Sequence, residues 1–285
     1  MKLLVFGKTG QVAQELRRLC PTGVEMQFLG REEADLSNPQ TCIAAIENNA
    51  ADIVINVAAF TAVDRAEEEQ EMAEMVNGVA PAEMAKAAAN KDIPFLHVST
   101  DYVFDGAGDA PFPSNRPAAP LGVYGRSKYR GEEAVRAAGG RYVILRTSWV
   151  FSSHGGNFVK TMLRLGADRD RLTVVSDQIG GPTPASAIAV ALLDIAHAFQ
   201  TDRGKSGTYH FSGMPDTSWA GFAREIFEQA KLPVEVIDIP TTDYPTPAQR
   251  PLNSRLDCSE LEADYSISRP DWRIGLRNVL KDLDI

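Results

Sequence analysis

The chain has 285 residues, 44% of them hydrophobic and 24% charged, the make-up of a globular protein with a sizeable core, as one large domain or two modest ones. A formal net charge of −9 without any lysine/arginine block argues against nucleic acid as a partner. Cys20, Cys42 and Cys258 are too scattered for a disulfide framework, residues 1–6 are too short an apolar run for a signal peptide, and no stretch approaches the ~20 apolar residues that span a membrane, so the cytoplasm is the expected location.

Residues 3–6 read as a buried strand, 11–20 as a helix with Val12, Leu16 and Leu19 on one face, and 24–29 as a second strand. The turn Gly7-Lys8-Thr9-Gly10-Gln11-Val12-Ala13 follows the first strand and opens the first helix, the context a dinucleotide fingerprint requires. Gly7 permits the tight turn, and Gly10, flanked by Thr9, Gln11 and Val12, lets a pyrophosphate approach backbone N–H groups; Ala13 fits the helix-packing position. The plain alternative is an ordinary strand–helix turn. Where an acid would bond the ribose of NAD at the end of the second strand, the chain has Gly30-Arg31. Arg31 suits the 2′-phosphate of NADPH and a stack on the adenine, while Glu32 and Glu33 leave NADH open. Asp35, before Leu36, either bonds the adenine amine or caps the helix predicted over 39–49, alongside Ser37 or Asn38.

A third strand, 52–57, ends in small residues, Ala58, Ala59 and Thr61, that let a cofactor pass close to the backbone before Val63 and Asp64. The acidic run 67–71 reads as the solvated start of a long helix over 68–90. Strand 94–99 leads to Thr100-Asp101-Tyr102, and prolines 111, 113, 117 and 120 make 107–122 a loop lying over the site. Helix 124–138 and strand 142–147 follow. Apolar strands alternating with helices give an α/β fold, a Rossmann-like doubly wound parallel sheet. Beyond 150 the pattern loosens: helices over 157–165, 185–199 and 219–229, strands over 172–175 and 207–211, and a proline-rich loop over 241–253. The expected division is an NAD(P)-binding domain over 1–147, joined by parts of 170–185 and 241–257, with a smaller α/β substrate-binding portion in 148–285 over the carboxyl ends of the strands.

Tyr124 and Lys128 lie four apart, on one face of the predicted helix, and Tyr124 stands 24 residues after Thr100. An ammonium beside a phenol stabilises the phenolate and brings its proton exchange nearer neutral pH. A Thr100 hydroxyl can hold a carbonyl against that phenol, and the three groups beside a nicotinamide suffice for reversible carbonyl reduction. The ordinary reading of Thr100 is turn capping. His97, His154, His197 and His210 show no ligand spacing, so no metal centre is expected. Trp149, Asn157, Gln178 and Arg250 sit at element ends or in loops near the inferred cleft; each taken alone reads first as structural.

With these motifs the sequence resembles the extended short-chain dehydrogenase/reductases from residue 2 to the last helix. The wide matches are Gly7-Lys8-Thr9-Gly10-Gln11, Thr61-Ala62-Val63-Asp64, Ser99-Thr100-Asp101-Tyr102-Val103-Phe104 and Tyr124 with Lys128. Arg146-Thr147-Ser148-Trp149-Val150 continues the match, and the narrower, late ones are Asp177-Gln178 with Gly180 and Pro182-Thr183, and Arg250-Pro251 followed by Asn253-Ser254-Arg255-Leu256. They point to the branch that reduces dTDP-4-dehydro-β-L-rhamnose to dTDP-β-L-rhamnose with NAD(P)H. The resemblance implies Thr100, Tyr124 and Lys128 as catalytic, a nucleotide-sugar substrate lined by Val63, Asp101, Tyr102, Trp149, Asn157 and Arg250, and a homodimer. Some relatives hold Mg²⁺ between acids at a dimer contact; Glu15 and Asp282 match two such positions, but Ser186 stands at the third. A dehydratase of the same fold would need a glutamate where Tyr102 stands. A regulatory NADP-binding subunit of the methionine adenosyltransferase type is the non-enzymatic alternative.

Overall fold

Leu3 and Val5 point to one side of the first strand and Leu4 and Phe6 to the other, and all four are buried, so this strand needs cover on both faces. The computed structural model, which describes all 285 residues, provides it. The first half of the chain runs β1 (Lys2–Phe6), α1 (Gln11–Arg18), β2 (Glu25–Leu29), α2 (Pro39–Glu47), β3 (Ile53–Asn56), α3 (Val63–Glu68), α4 (Gln70–Glu74), α5 (Ala80–Asn90), β4 (Phe95–Thr100), α6 (Val123–Ala137) and β5 (Tyr142–Thr147). Then come β6 (Val150–Phe151), α7 (Phe158–Asp168), β7 (Arg171–Val175), β8 (Ile179–Gly180), β9 (Thr183–Pro184), α8 (Ala185–Gln200), β10 (Gly207–His210), β11 (Thr217–Ser218), α9 (Trp219–Gln229), β12 (Glu235–Ile239), β13 (Asn253–Ser254), α10 (Ser259–Tyr265) and α11 (Trp272–Asp282).

Six strands form one parallel sheet in the order β2-β1-β3-β4-β5-β10. One face packs on residues of α1 and α8, the other on α2, α5 and α6. The strand order reverses between β1 and β3, so the crevice outside their carboxyl ends is where a doubly wound sheet takes its ligand. A second core, around Phe151, Phe222, Leu276 and Trp272, joins α7, α9 and α11 to short strands above that edge.

One expectation needs correction. The helix predicted over 68–90 is broken: α4 passes through a π-helical turn, Met75–Val79, into α5. Pro81 has no N–H for the carbonyl four residues back, at Asn77. Late in the chain, β10 completes the main sheet and α8 covers one of its faces, while the strands within 170–185 and 241–257 build small sheets of their own. Helix α8 has apolar residues nearly all round, which forces it under the main sheet.

Candidate active site

Gly7 has φ +115°, and a Cβ there would lie 3.0 Å from Val57 Cγ2, so β1 and the end of β3 approach more closely than a side chain allows. The N-cap of α1 is Gly10, with no side-chain cap and open space where its Cβ would stand. The leading N–H groups of α1 are therefore free for a pyrophosphate, and the residues fit a dinucleotide. Thr9 is exposed beside them, and Val12 is buried beneath. At the end of β2, Arg31 is exposed. Glu33 is committed: it pairs with Lys8 and accepts the Gly30 N–H at 2.8 Å, and the Lys8 bond leads in holding its carboxyl below the usual value. That acid is thus removed from any ribose hydroxyl, while Arg31 keeps its guanidinium. Asp35 Oδ1 accepts the Ser37 N–H at 2.9 Å in a turn ahead of α2, whose N-cap position, Asn38, makes no side-chain cap; Leu36 is buried next to it. Ala58, Ala59 and Thr61 line the exit of β3, where Asn56 Oδ1 accepts the Ala58 N–H at 3.1 Å.

Thr100, Asp101 and Tyr102 leave the end of β4 in a 3₁₀ turn, and Tyr124 opens α6 opposite them; the Tyr102 and Tyr124 rings meet edge-on at 5.4 Å. Gly125 makes this approach possible, since a Cβ there would lie 2.1 Å from the Tyr102 carbonyl oxygen. Burial pushes the Tyr124 phenol up to about 12, against a lowering hydrogen bond from Thr100, and the charge of Asp101 adds to the rise. The sequence reading put Lys128 against the phenol and its proton exchange nearer neutrality. Here Lys128 is buried and its Nζ donates to Val98 O at 2.8 Å, so burial, not the ammonium, governs the phenol.

The residues expected at the substrate gather unequally. Asp101 is buried, its Oδ2 has no partner, and burial pushes its carboxyl up to about 6 against bonds from Ser254 and Thr100. Ser254, on β13, pairs with Gly180 on β8, and the Trp149 ring lies where a Cβ on Gly180 would be, at 3.0 Å. Trp149 holds a left-handed backbone, φ 50°, and stacks on Trp219 with centroids 3.6 Å apart. Arg250 reaches across the cleft from its loop to α3, next to Val63. Its Nη2 donates to Asp64 Oδ2 at 2.9 Å and its Nη1 to Oδ1 at 3.2 Å, and Tyr102 lies within reach of both charges. Asn157 stands apart. It caps α7 through the Lys160 N–H, and its Nδ2 donates to Gln11 Oε1 at 3.0 Å and Ser152 O at 2.7 Å. Gln11, expected at the cofactor, thereby ties α1 to the second core.

Several functional side chains escaped the sequence reading. Glu67, read as solvated, accepts the Val123 N–H at 2.8 Å and so caps the helix that carries Tyr124. Glu132 is buried between Ser99, Arg136 and Arg146, fixing α6 to β4 and β5. Trp219 donates Nε1–H to Gln178 Oε1 at 3.1 Å and holds Trp149 from behind. None lies in a motif; only the pairing of a helix glutamate with a strand arginine hinted at the second. Glu15, considered for Mg²⁺, is buried and accepts from Arg18 at 2.6 and 2.9 Å. No helix is long and apolar enough to cross a membrane.

The model of the family described as RmlD substrate binding domain matches residues 1–285. The chain belongs to this family. Among its RmlD relatives, the dTDP-4-dehydrorhamnose reductase of Sinorhizobium fredii is 44% identical over 286 residues, 98% of this chain and 97% of the relative. A crystal structure of a dTDP-4-dehydrorhamnose reductase from Clostridium acetobutylicum superimposes with a TM-score of 0.94 at 34% identity, covering 100% of both chains. That of the Bacillus anthracis enzyme in complex with NADP gives 0.93 at 32% identity over 99% of each. The chain thus shares its whole length with enzymes of one named activity.

Proposed function

We propose that this protein is a dTDP-4-dehydrorhamnose reductase, which reduces the 4-keto group of dTDP-4-dehydro-β-L-rhamnose to give dTDP-β-L-rhamnose with NADPH. The observation that carries the reading is the Thr100–Tyr124 pair at the carboxyl edge of the sheet, in a chain related end to end to enzymes of that name, one of them solved with NADP. Bound on the cradle between Gly7, Gly10 and Arg31, the cofactor supplies hydride. Thr100 and Tyr124 hold the keto oxygen, and the buried phenol, which keeps its proton through neutral pH, delivers that proton as the oxygen gains charge. Lys128 engages the nicotinamide ribose. Trp149, held by Trp219, presents an apolar face to the deoxysugar, and Arg250 takes the diphosphate by exchanging its fork from the Asp64 carboxylate.

The domains divide the work: residues 1–147 with α8 and β10 carry the cofactor, and the rest of the chain carries the sugar nucleotide. The resemblance extends the reading to a homodimer in the cytoplasm, which light scattering and fractionation test. Incubation of the purified chain with dTDP-4-dehydrorhamnose and NADPH, following the absorbance of the reduced nicotinamide and the sugar product, tests the activity. Cofactor binding without turnover would favour a regulatory NADP-binding subunit.

A further inference from the structure

His97 is fully buried in β4, stacked beside Phe95, and lies between Asn56 and Lys128. Its Nδ1 is 3.2 Å from Asn56 Nδ2, and its Nε2 is 3.4 Å from Lys128 Nζ. The amide of Asn56 has no choice of orientation. A backbone N–H, that of Ala58, donates to its Oδ1, so the group turned to the histidine is the amino group, a donor. Nδ1 must therefore accept, and the hydrogen of a neutral imidazole must sit on Nε2. Burial keeps the ring neutral, driving its pKa well below the usual value. An Nε2–H thus points at Lys128 Nζ. An ammonium has no lone pair with which to receive it, whereas a neutral amine accepts that hydrogen and still donates to Val98 O.

We propose that His97, locked as the Nε2–H tautomer by Asn56, is a positioning residue that favours the neutral amine of Lys128 in the free enzyme, so that cofactor binding is coupled to uptake of a proton. This rests on the reading of Lys128 as a ribose ligand. When the amine leaves His97 for the ribose hydroxyls, acceptor oxygens replace the donor and the ammonium becomes the favoured form.

The other charged groups around Lys128 do not reverse this. Glu132, on the same helix, pulls its proton affinity up, but that carboxylate is already shared by Arg146, Arg136 and Ser99. Glu74 of α4 is paired with Arg130, and Tyr124 and Asp101 favour their neutral forms more than free side chains do. Burial leads, and the amine is pushed down to about 8.

The test is calorimetry of NADPH binding at pH 8 in buffers of different ionisation enthalpy, which counts the protons exchanged. It is run on Tyr124→Phe, so that the phenol contributes none. At that pH the 2′-phosphate, with a pKa near 6, is fully ionised. Uptake of about half a proton per cofactor is expected, because Lys128 is near half-charged before binding and fully charged after it. Adding His97→Gln, whose carbonyl can face the lysine, is expected to reduce uptake to below about a fifth. Equal uptake with and without that change, or none in the parent, overturns the proposal. ¹⁵N spectra of histidine-labelled wild-type protein provide a readout that needs no variant: protonated Nε2 and bare Nδ1 on His97 are expected, and the reverse tautomer overturns it. Failure of NADPH to bind at all would instead strike the cofactor reading, and this proposal with it.

Discussion

At the scale of single residues, the chemistry depends on how burial distributes protons. Tyr124 keeps its ring and packing when changed to Phe, so only the proton is lost. Tyr124→Phe is expected to lower kcat by about 10²–10⁴ while NADPH affinity stays within a factor of two; retention of a tenth of the wild-type rate would remove it as the acid. Arg250 offers its fork to Asp64 at present, and a diphosphate is the stronger competitor for it. Arg250→Ala should weaken dTDP binding about tenfold, roughly 1.4 kcal/mol, and leave NADPH alone; a change of less than twofold in a titration would return Arg250 to a purely structural pairing. For Glu132, burial raises the pKa, but Arg146, Ser99 and Arg136 together outweigh it and hold the carboxyl below its ordinary value. A depressed folded-state pKa means stability that is present above the unfolded value of about 4.3 and is lost as pH falls through the folded one. Glu132→Gln leaves Arg146 uncompensated and should cost ~3–5 kcal/mol at neutral pH, with the gap to wild type closing in acid. A urea titration showing under ~1 kcal/mol would mean that solvent reaches the pair.

At the scale of elements, the position of α6 is set by glycines, which let its backbone lie directly against its neighbours. A Cβ on Gly131 would sit 2.1 Å from the Asn77 carbonyl oxygen, which belongs to the π-helical turn. Asn77 in turn holds both Phe60 backbone groups and donates to Ser127 Oγ at 3.1 Å. Three elements therefore meet where no side chain fits. Gly131→Ala should destabilise the fold by about 1–3 kcal/mol, offset only a little by the better helix propensity of alanine. It should also lower kcat, because α6 carries Tyr124. A melting temperature equal to that of wild type would show that the helices can separate without loss.

At the scale of the whole molecule, the sheet is finished by residues that come late in the chain. Leu3, Val5, Ile53, Ile55, Leu96, Val143 and Leu145 all pack on a cluster that includes Ile188, Leu192, Ile195 and Tyr209. A fragment of residues 1–147 would leave that face open to water and lack the edge strand. It is expected to show no cooperative thermal transition by circular dichroism, whereas the full chain unfolds sharply. A sharp transition in the fragment would mean that the first domain stands without α8 and β10.

The sequence by itself determined the parallel sheet, the glycine turn, Thr100 at a strand end, and Tyr124 and Lys128 one turn apart on one helix, because period, turn chemistry and one helical turn are local properties. The loop over 107–122 was equally legible from its prolines, though not its anchoring through Phe112 to Arg255 and Asp257. The break in the long helix was less visible: Pro81 stood in plain view, but its effect needed Asn77 to find Phe60 and Ser127. What only the tertiary structure decided is which distant groups meet. Asp64 facing Arg250, Glu67 capping α6, Trp219 behind Trp149 and Asn56 setting the tautomer of His97 all join residues far apart in sequence. Such contacts have no period and no spacing. They arise where strands end at one edge and helices are forced together, so their energetics exist only after the chain has closed.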